Sequence, residues 1–155
     1  MSLEKSKNSR RKFISNTCKA CVAATFLGTS FNSCQTIRYI NASINNDGLM
    51  VPISEFVVLK NNKPEFRPFI IVRNESLLYP ICIYRMNERE YNAVWMKCSH
   101  QGTELKASAM KLYCSAHGSE FSNQGIVLNG PASENLKTFT VTVNKNELFI
   151  DLRKS

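Results

Sequence analysis

The two histidines of the chain, His100 and His117, each stand shortly after a cysteine, and this arrangement constrains the fold more than any other sequence feature. His100 follows Cys98 by two positions, and His117 follows Cys114 by three. Thiolate sulfur and imidazole nitrogen are both good ligands for iron and zinc. A fold that brings these two segments together would therefore build a four-ligand metal site from two cysteines and two histidines.

Two kinds of metal centre can use this ligand set. Zinc sites usually take like ligands close together in sequence, whereas here each segment offers one cysteine and one histidine. The short spacing of Cys98 and His100 is also tight for two ligands of one tetrahedral ion. In a Rieske centre, a [2Fe–2S] cluster has two cysteines on one iron and two histidines on the other, so each segment would span the cluster. The cluster fits the spacing better, and a structural zinc domain remains the alternative.

The runs Cys98–Gly102 and Cys114–Phe121, with thirteen residues between His100 and Cys114, are similar to the two-box motif of Rieske [2Fe–2S] proteins. The segment Gly125–Leu136 resembles the family's third loop, which covers the cluster. The resemblance is close over residues 98–136 and looser over residues 49–152. The cofactor-binding residues that it implies are Cys98, His100, Cys114 and His117 as cluster ligands, and Ser119, whose hydroxyl bonds a bridging sulfide.

The resemblance also implies a fold and a function. The expected fold is mainly β, a Rieske-type antiparallel β-sandwich with a small cluster-binding subdomain formed by loops at about residues 97–132. The expected function is one-electron transfer in a periplasmic or membrane-associated redox chain, with protein redox partners and without enzymatic activity. The alternative is the electron-transfer small subunit of an oxidoreductase complex. Membership in a quinol-oxidising complex is a weaker third hypothesis.

The motif differs from that of respiratory Rieske proteins in two respects. Those proteins carry a cysteine in each box, and the two form a disulfide, but the matching positions here are Thr103 and Ala116. Their tyrosine, whose hydroxyl reaches the first ligand cysteine, is replaced by Phe121. Both departures predict a reduction potential below that of respiratory members. Outside the motif, Cys82 alternates with apolar neighbours, which predicts a buried core thiol.

Apolar patterning after residue 36 predicts strands and turns in one domain, at about residues 37–153. Phe69–Val72 is a continuous apolar run, as expected of a strand buried on both faces. Segments Ile37–Ile44 and Leu77–Tyr84 also read as strands. Alternation in Lys137–Val143, a polar turn, and further alternation through Leu152 predict a hairpin. Only a turn of helix is expected, within Glu104–Met110.

The N-terminus, residues 1–34, reads as an export signal. Ser9–Ile14 contains paired arginines, Arg10 and Arg11, and resembles a twin-arginine motif; the run Ala20–Phe31 is too short and too polar to span a membrane. Cys34 is a candidate for lipid modification, which would tether the protein on the periplasmic side. The alternative is a basic tail with chance paired arginines.

The net charge of +8 comes mostly from the N-terminus, since residues 1–33 contribute six Lys or Arg and one Glu. No basic stripe interleaved with aromatics occurs in the rest of the sequence, which argues against a nucleic-acid partner.

Overall fold

The described part of the chain, residues 36–45 and 47–153 of a computed structural model, folds almost entirely into short β-strands. The strands in chain order are β1 (Tyr39–Asn41), β2 (Ile44–Asn45), β3 (Gly48–Pro52), β4 (Val57–Lys60), β5 (Lys63–Phe66), β6 (Phe69–Arg73), β7 (Ile81–Arg85), β8 (Tyr91–Trp95), β9 (Lys106–Ala107), β10 (Lys111–Tyr113), β11 (Glu120–Ser122), β12 (Val127–Asn129), β13 (Thr138–Asn144) and β14 (Glu147–Asp151). A short 3-10 helix, Ile53–Phe56, lies between β3 and β4. The mainly β expectation is therefore confirmed, whereas the expected export signal at residues 1–34 lies outside the described residues.

The described strands pair into three sheets. The large sheet has the order β1-β6-β7-β8-β13-β14-β3-β2, a smaller sheet has the order β12-β11-β10-β9, and β4 pairs with β5 alone. Neighbouring strands are antiparallel, as expected, except that β1 runs parallel to β6. Among the residues that the structure describes, no helix has the length and apolar character needed to cross a bilayer.

Strand β6 is buried on both faces because its side chains alternate between two apolar cores. Ile70 and Val72 pack into one core, and Phe69 and Ile71 pack into the other. We call the second one the site core. Residues from the loops and the small sheet that are buried in it include Cys98, Leu105, Leu112, Cys114, Phe121, Ala132 and Leu136. Burying a leucine or phenylalanine side chain stabilises a fold by about 1.5–3 kcal/mol. The site core therefore fixes the small sheet against the large one.

The hairpin of β13 and β14 directs its apolar side chains to one face and its polar side chains to the other, as the alternation in its sequence predicts. Val141 pairs with Ile150 across the two strands. Phe139 and Leu148 are buried, while Thr140 is exposed. One polar face and one apolar face are what a half-buried antiparallel pair requires. This expectation is confirmed.

Several elements differ from the sequence-based expectation. The expected strand Leu77–Tyr84 begins only at Ile81, because Pro80 has no N–H to give to a ladder and Leu77 N–H donates to Asn74 O in a turn. The expected strand Ile37–Ile44 is divided into β1 and β2. Glu104–Met110 contributes strand β9 and no helix, and the subdomain contains a four-stranded sheet as well as loops.

The hairpin of β4 and β5 was not expected from sequence. Its two-residue loop, Asn61-Asn62, has φ values of 52° and 59°. Asparagine tolerates this left-handed region better than most residues, and consecutive positive φ values are the signature of a type I′ hairpin turn. The Asn-Asn pair was therefore the signal that could have revealed this hairpin.

Candidate metal centre

Two loops at neighbouring strand ends carry the four candidate ligands. The first loop follows β8 and contains Cys98 and His100; a β-bridge between Lys97 and Glu104 closes its base. The second loop connects β10 to β11 and contains Cys114 and His117. Both loops therefore leave paired strands, which fix where each loop starts and ends.

The two loops share one backbone hydrogen-bond pattern. In the first, Gly102 N–H donates to Cys98 O at 2.8 Å, and Cys98 N–H donates to Thr103 O at 2.9 Å. In the second, Gly118 N–H donates to Cys114 O at 3.0 Å, and Cys114 N–H donates to Ser119 O at 2.8 Å.

Each loop thus closes on its own cysteine through a glycine four residues later. Gly102 has a φ of 73° and Gly118 a φ of 80°, which is a backbone conformation that favours glycine. These two glycines therefore have a backbone role in closing the loops.

The candidate ligands differ in exposure according to their type. Cys98 is 1% exposed and Cys114 is 2% exposed, whereas His100 and His117 are both exposed. The imidazole rings lie with their centroids 5.1 Å apart at an interplanar angle of 89°. The Cys98 thiol is also close enough to interact with that of Cys114. The folded chain thus presents a buried pair of thiols and an exposed pair of imidazoles.

Opposing influences act on the Cys114 thiol. Burial favours the protonated form, but the backbone N–H groups of Ala116 and His117 and the side chains of Cys98 and Thr103 favour the thiolate. Their combined effect lowers the pKa of Cys114 below its usual value. A thiolate is the form that binds metals, so the loop prepares this sulfur for ligation.

Ser119 joins the second loop to the segment that follows β12. Its side chain is 0% exposed, and its hydroxyl oxygen accepts the backbone N–H of Ala132 at 3.0 Å. A hydroxyl also has one proton to donate. The oxygen is thus held in place by Ala132 while the proton is available to an acceptor such as sulfide.

The third loop, Gly125–Leu136, includes β12 and most of the connection from β12 to β13, and it is tied to both of the others. Ser99 Oγ donates to Glu134 O at 2.6 Å, and Asn129 Nδ2 donates to Gly118 O at 3.3 Å. The loop includes a cis peptide bond between Gly130 and Pro131. It lies beside the two ligand-bearing loops, as a covering loop would.

This donor set suits a [2Fe–2S] centre of the Rieske type, in which each iron takes only two protein ligands. Two thiols together and two imidazoles together match that requirement, so the residues present fit the cluster.

The other positions that the sequence singled out lie close by. Phe121 is 0% exposed and packs in the site core with Cys98 and Cys114. Cys82 is buried in the same core and is a free thiol, as predicted. Burial raises the pKa of the Cys82 thiol far above its usual value, so it stays protonated. Sequence reasoning missed the part that Thr103 plays at Cys114, because the two are distant along the chain.

Antiparallel β-sheets with two adjacent Cys/His loops are the arrangement found in Rieske-type iron–sulfur domains. A family model, described as the Rieske [2Fe-2S] domain, matches residues 56–140, which is more than half of the 155-residue chain. The chain therefore belongs to the Rieske [2Fe–2S] domain family, and it is an electron-transfer protein that holds a [2Fe–2S] cluster.

Solved structures that resemble this chain include a Rieske protein, a dioxygenase complex and a respiratory complex. A crystal structure of the plasma membrane Rieske protein PetC3 from Synechocystis PCC 6803 is 27% identical, covers 54% of this chain and 85% of that one, and has a TM-score of 0.47. A chain of the oxygenase–ferredoxin complex of carbazole 1,9a-dioxygenase is 20% identical, with coverages of 72% and 98% and a TM-score of 0.54.

A chain of a hyperthermophilic respiratory Complex III is 13% identical, with coverages of 88% and 92% and a TM-score of 0.47. Among curated protein sequences, none matches the chain.

Proposed function

We propose that Cys98, His100, Cys114 and His117 are the cluster ligands, and that the protein is a one-electron carrier without enzymatic activity. The main support for this proposal is that both thiols are buried whereas both imidazoles are exposed. In a Rieske centre the two cysteines take one iron and the two histidines take the other. The histidine side then faces solvent, where a redox partner protein can approach it.

Ser119 has a supporting role in this proposal. Its buried hydroxyl accepts the N–H of Ala132 and keeps its proton for a bridging sulfide. Hydrogen bonds to cluster sulfur stabilise the reduced state and raise the reduction potential. The chain lacks a disulfide between the loops, since Thr103 and Ala116 stand at the positions where respiratory members have cysteines.

One experiment tests the ligand assignment and the carrier role together. Protein purified anaerobically is analysed for iron, sulfide and zinc, and the reduced form is examined by EPR spectroscopy. We expect about two irons per chain and the spectrum of a histidine-ligated [2Fe–2S] centre. Titration with dithionite and then hexacyanoferrate(III) should add and remove one electron per chain. Zinc as the only bound metal would contradict the proposal.

The proposed cellular location is the periplasmic face of a bacterial membrane, reached by a twin-arginine route. The support is the order of Arg10-Arg11, the apolar run and Cys34 in the sequence. Changing Arg10 and Arg11 to lysine keeps the charge and should leave the precursor in the cytoplasm on cell fractionation. Lys7→Arg is the matched control. Full periplasmic delivery of the double variant would exclude this route.

The lipid tether is tested separately. If Cys34 is lipid-modified, Cys34→Ala should move the protein from the membrane fraction to the soluble periplasmic fraction. A single lipid chain anchors weakly, whereas a bacterial lipoprotein cysteine carries several, so a full tether should resist salt washing. Unchanged membrane association of Cys34→Ala would rule out a lipid on this residue.

The alternative function is the electron-transfer small subunit of an oxidoreductase complex. Exposed apolar side chains on and beside the small sheet favour it: Met110 is 79% exposed, Leu128 58% and Ile126 48%. Apolar surface of this kind is common at subunit interfaces. Purification under mild conditions from native membranes distinguishes the two, since a stoichiometric larger subunit would support the complex and a lone chain would support the free carrier.

A further inference from the structure

A groove beside the first loop carries positive charge next to the exposed ligand His100. It is formed by residues from the first loop, from the third loop and its junction with β13, from the end of β8, and from the connection between β6 and β7. The members that matter for its chemistry are Tyr79, Trp95, Lys97, His100, Glu134 and Lys137. The sequence did not reveal this cluster, because Lys97 follows β8 and Lys137 precedes β13, and the two meet only in the folded sheet.

Both lysines are held over the same aromatic ring. The Lys97 ammonium lies 5.4 Å from the centroid of the Trp95 ring, and that of Lys137 lies 5.6 Å from it. Lys137 is also 5.2 Å from the Phe139 ring centroid. Cation–π contacts within about 6 Å are favourable and limit how far an ammonium group moves. The two charges are therefore placed at the groove rather than spread through solvent.

Among the residues that the structure describes, no carboxylate forms an ion pair with either lysine. Within the part of the chain that the structure describes, the basic partners of carboxylates are other residues: Arg38, Lys60, Arg73, Lys111 and Arg153. Glu134 contributes one exposed carboxylate to the groove, so two ammonium groups face one negative charge. The groove is thus net positive beside the surface where His100 is exposed.

We propose that this groove is the docking surface for an acidic patch on the protein that exchanges electrons with the cluster. The inference rests on the proposed function, because it takes His100 as a ligand through which the electron passes. Electron transfer needs close approach, and Lys97 and Lys137 flank the approach to His100. Complementary charge at such a place raises the association rate and orients the partner. Small anions are the alternative occupants, and the tests below separate them.

A rate measurement uses two forms of one probe protein. Cytochrome c is basic, and succinylation of its lysines makes it acidic. In either case one electron leaves the reduced cluster and converts ferric haem to ferrous haem, which is followed by absorbance. At low ionic strength we expect Lys97→Gln/Lys137→Gln to slow the reaction with the acidic probe about tenfold and to speed the reaction with the basic one. The difference should shrink with salt, since the Debye length falls to about 8 Å at 0.15 M.

Two further variants test whether the effect on the rate comes from the groove or from net charge alone. Lys63→Gln/Lys145→Gln removes the same net charge from hairpin turns outside the groove, so it should have a much smaller effect. Glu134→Gln removes the negative charge while keeping the backbone carbonyl that Ser99 uses, so it should speed the reaction with the acidic probe. If the groove variant loses no more rate than the Lys63/Lys145 variant, the docking surface is excluded.

A second measurement does not depend on electron transfer. A water-soluble carbodiimide joins a carboxylate of the acidic probe to a lysine amine as an amide, and the carbodiimide leaves as a urea. We expect mass spectrometry to locate the cross-links at Lys97 and Lys137. Lys97→Arg/Lys137→Arg keeps the charge but lacks the amines, so it should lose these cross-links and keep the rate preference for the acidic probe. Cross-links confined to other lysines would overturn the proposal.

Small anions are distinguished by using hexacyanoferrate(III) as the oxidant. The rates of cluster oxidation by hexacyanoferrate(III) are compared between the variants. If these rates differ as much as those with the acidic protein, and no cross-links form in the groove, the groove binds small anions and the docking proposal fails. Each variant is first checked by its cluster absorption and EPR spectrum. Absence of the cluster in the unmodified protein contradicts the proposed function, whereas an intact cluster with rates equal to those of the control contradicts only the docking surface.

Discussion

The imidazole rings of His100 and His117 stand perpendicular to each other, at 89°, with their centroids 5.1 Å apart. Each ring comes from a different loop, and each loop closes on its own cysteine through the same hydrogen-bond pattern. Because the backbones of both loops are fixed in this way, the rings meet at the surface while the thiols remain inside. The proposed ligand roles and the following predictions depend on this arrangement.

The first prediction concerns the exposed ligands. His117→Ala removes one of the two nitrogen ligands of the outer iron, so iron content should fall well below about two per chain and the EPR signal should disappear. Ser115→Ala, an exposed position in the same loop, is the matched control and should keep both. Retention of a normal EPR spectrum by His117→Ala would show that another residue is the ligand.

The second prediction concerns the buried hydroxyl of Ser119. Ser119→Ala removes the proposed hydrogen bond to sulfide, so the reduction potential should fall, as measured by protein-film voltammetry. It also leaves the Ala132 N–H without its acceptor, which should reduce the free energy of unfolding by about 1–3 kcal/mol.

Ser99→Ala is the control for Ser119→Ala. It removes an exposed hydrogen bond between the first and third loops, at a cost of about 0.5–1.5 kcal/mol, and should leave the potential near that of the unmodified protein. An equal fall in potential for both variants would indicate that loop fixation, and not a bond to sulfide, controls the potential.

The third prediction concerns Phe121, which is fully buried in the site core with Cys98 and Cys114. Phe121→Tyr supplies the hydroxyl that respiratory members have near the first ligand cysteine, so we expect a higher reduction potential. Phe69→Tyr places a hydroxyl elsewhere in the same core and is the control; it should lower stability without raising the potential. A potential unchanged in Phe121→Tyr would mean that this hydroxyl does not reach a ligand sulfur.

The fourth prediction concerns stability at alkaline pH. Burial raises the pKa of Cys82 and also that of Tyr84, so both stay protonated in the folded chain. The unfolded chain loses these protons above about pH 8.5 for cysteine and about pH 10 for tyrosine. The stabilisation is therefore complete below those values, and the free energy of unfolding falls as pH rises above them, by up to about 1.4 kcal/mol per pH unit for each group.

Two variants test these contributions in anaerobic denaturation experiments, and because Cys82 also raises the pKa of Tyr84, Cys82→Ala affects both groups. Cys82→Ala should remove part of the decline that begins near pH 8.5, and Tyr84→Phe should remove part of the decline that begins near pH 10. The ligand cysteines also titrate in the unfolded chain, but they do so equally in every variant. Identical pH profiles for Cys82→Ala and the unmodified protein would contradict the shifted pKa of Cys82.

Local sequence was sufficient for features that depend on neighbouring residues. Alternation predicted the β13–β14 hairpin, and the apolar run at Phe69–Val72 predicted a doubly buried strand, because side chains point to opposite faces with a period of two. The spacing of Cys98 with His100 and of Cys114 with His117 predicted a two-loop centre. The Asn61-Asn62 turn is also a local signal, because it depends on two adjacent residues that tolerate positive φ values.

Only the tertiary structure decided which groups from distant parts of the chain meet. The sequence by itself determined which candidate ligand types are present and where along the chain they lie, because these depend on residue chemistry and on spacing. It did not determine that Thr103 acts on Cys114, that Ser119 accepts the N–H of Ala132, or that Lys97 and Lys137 share the Trp95 ring. Those contacts depend on strand order and register in the sheets, which are set by burial of the two cores together rather than by any one segment.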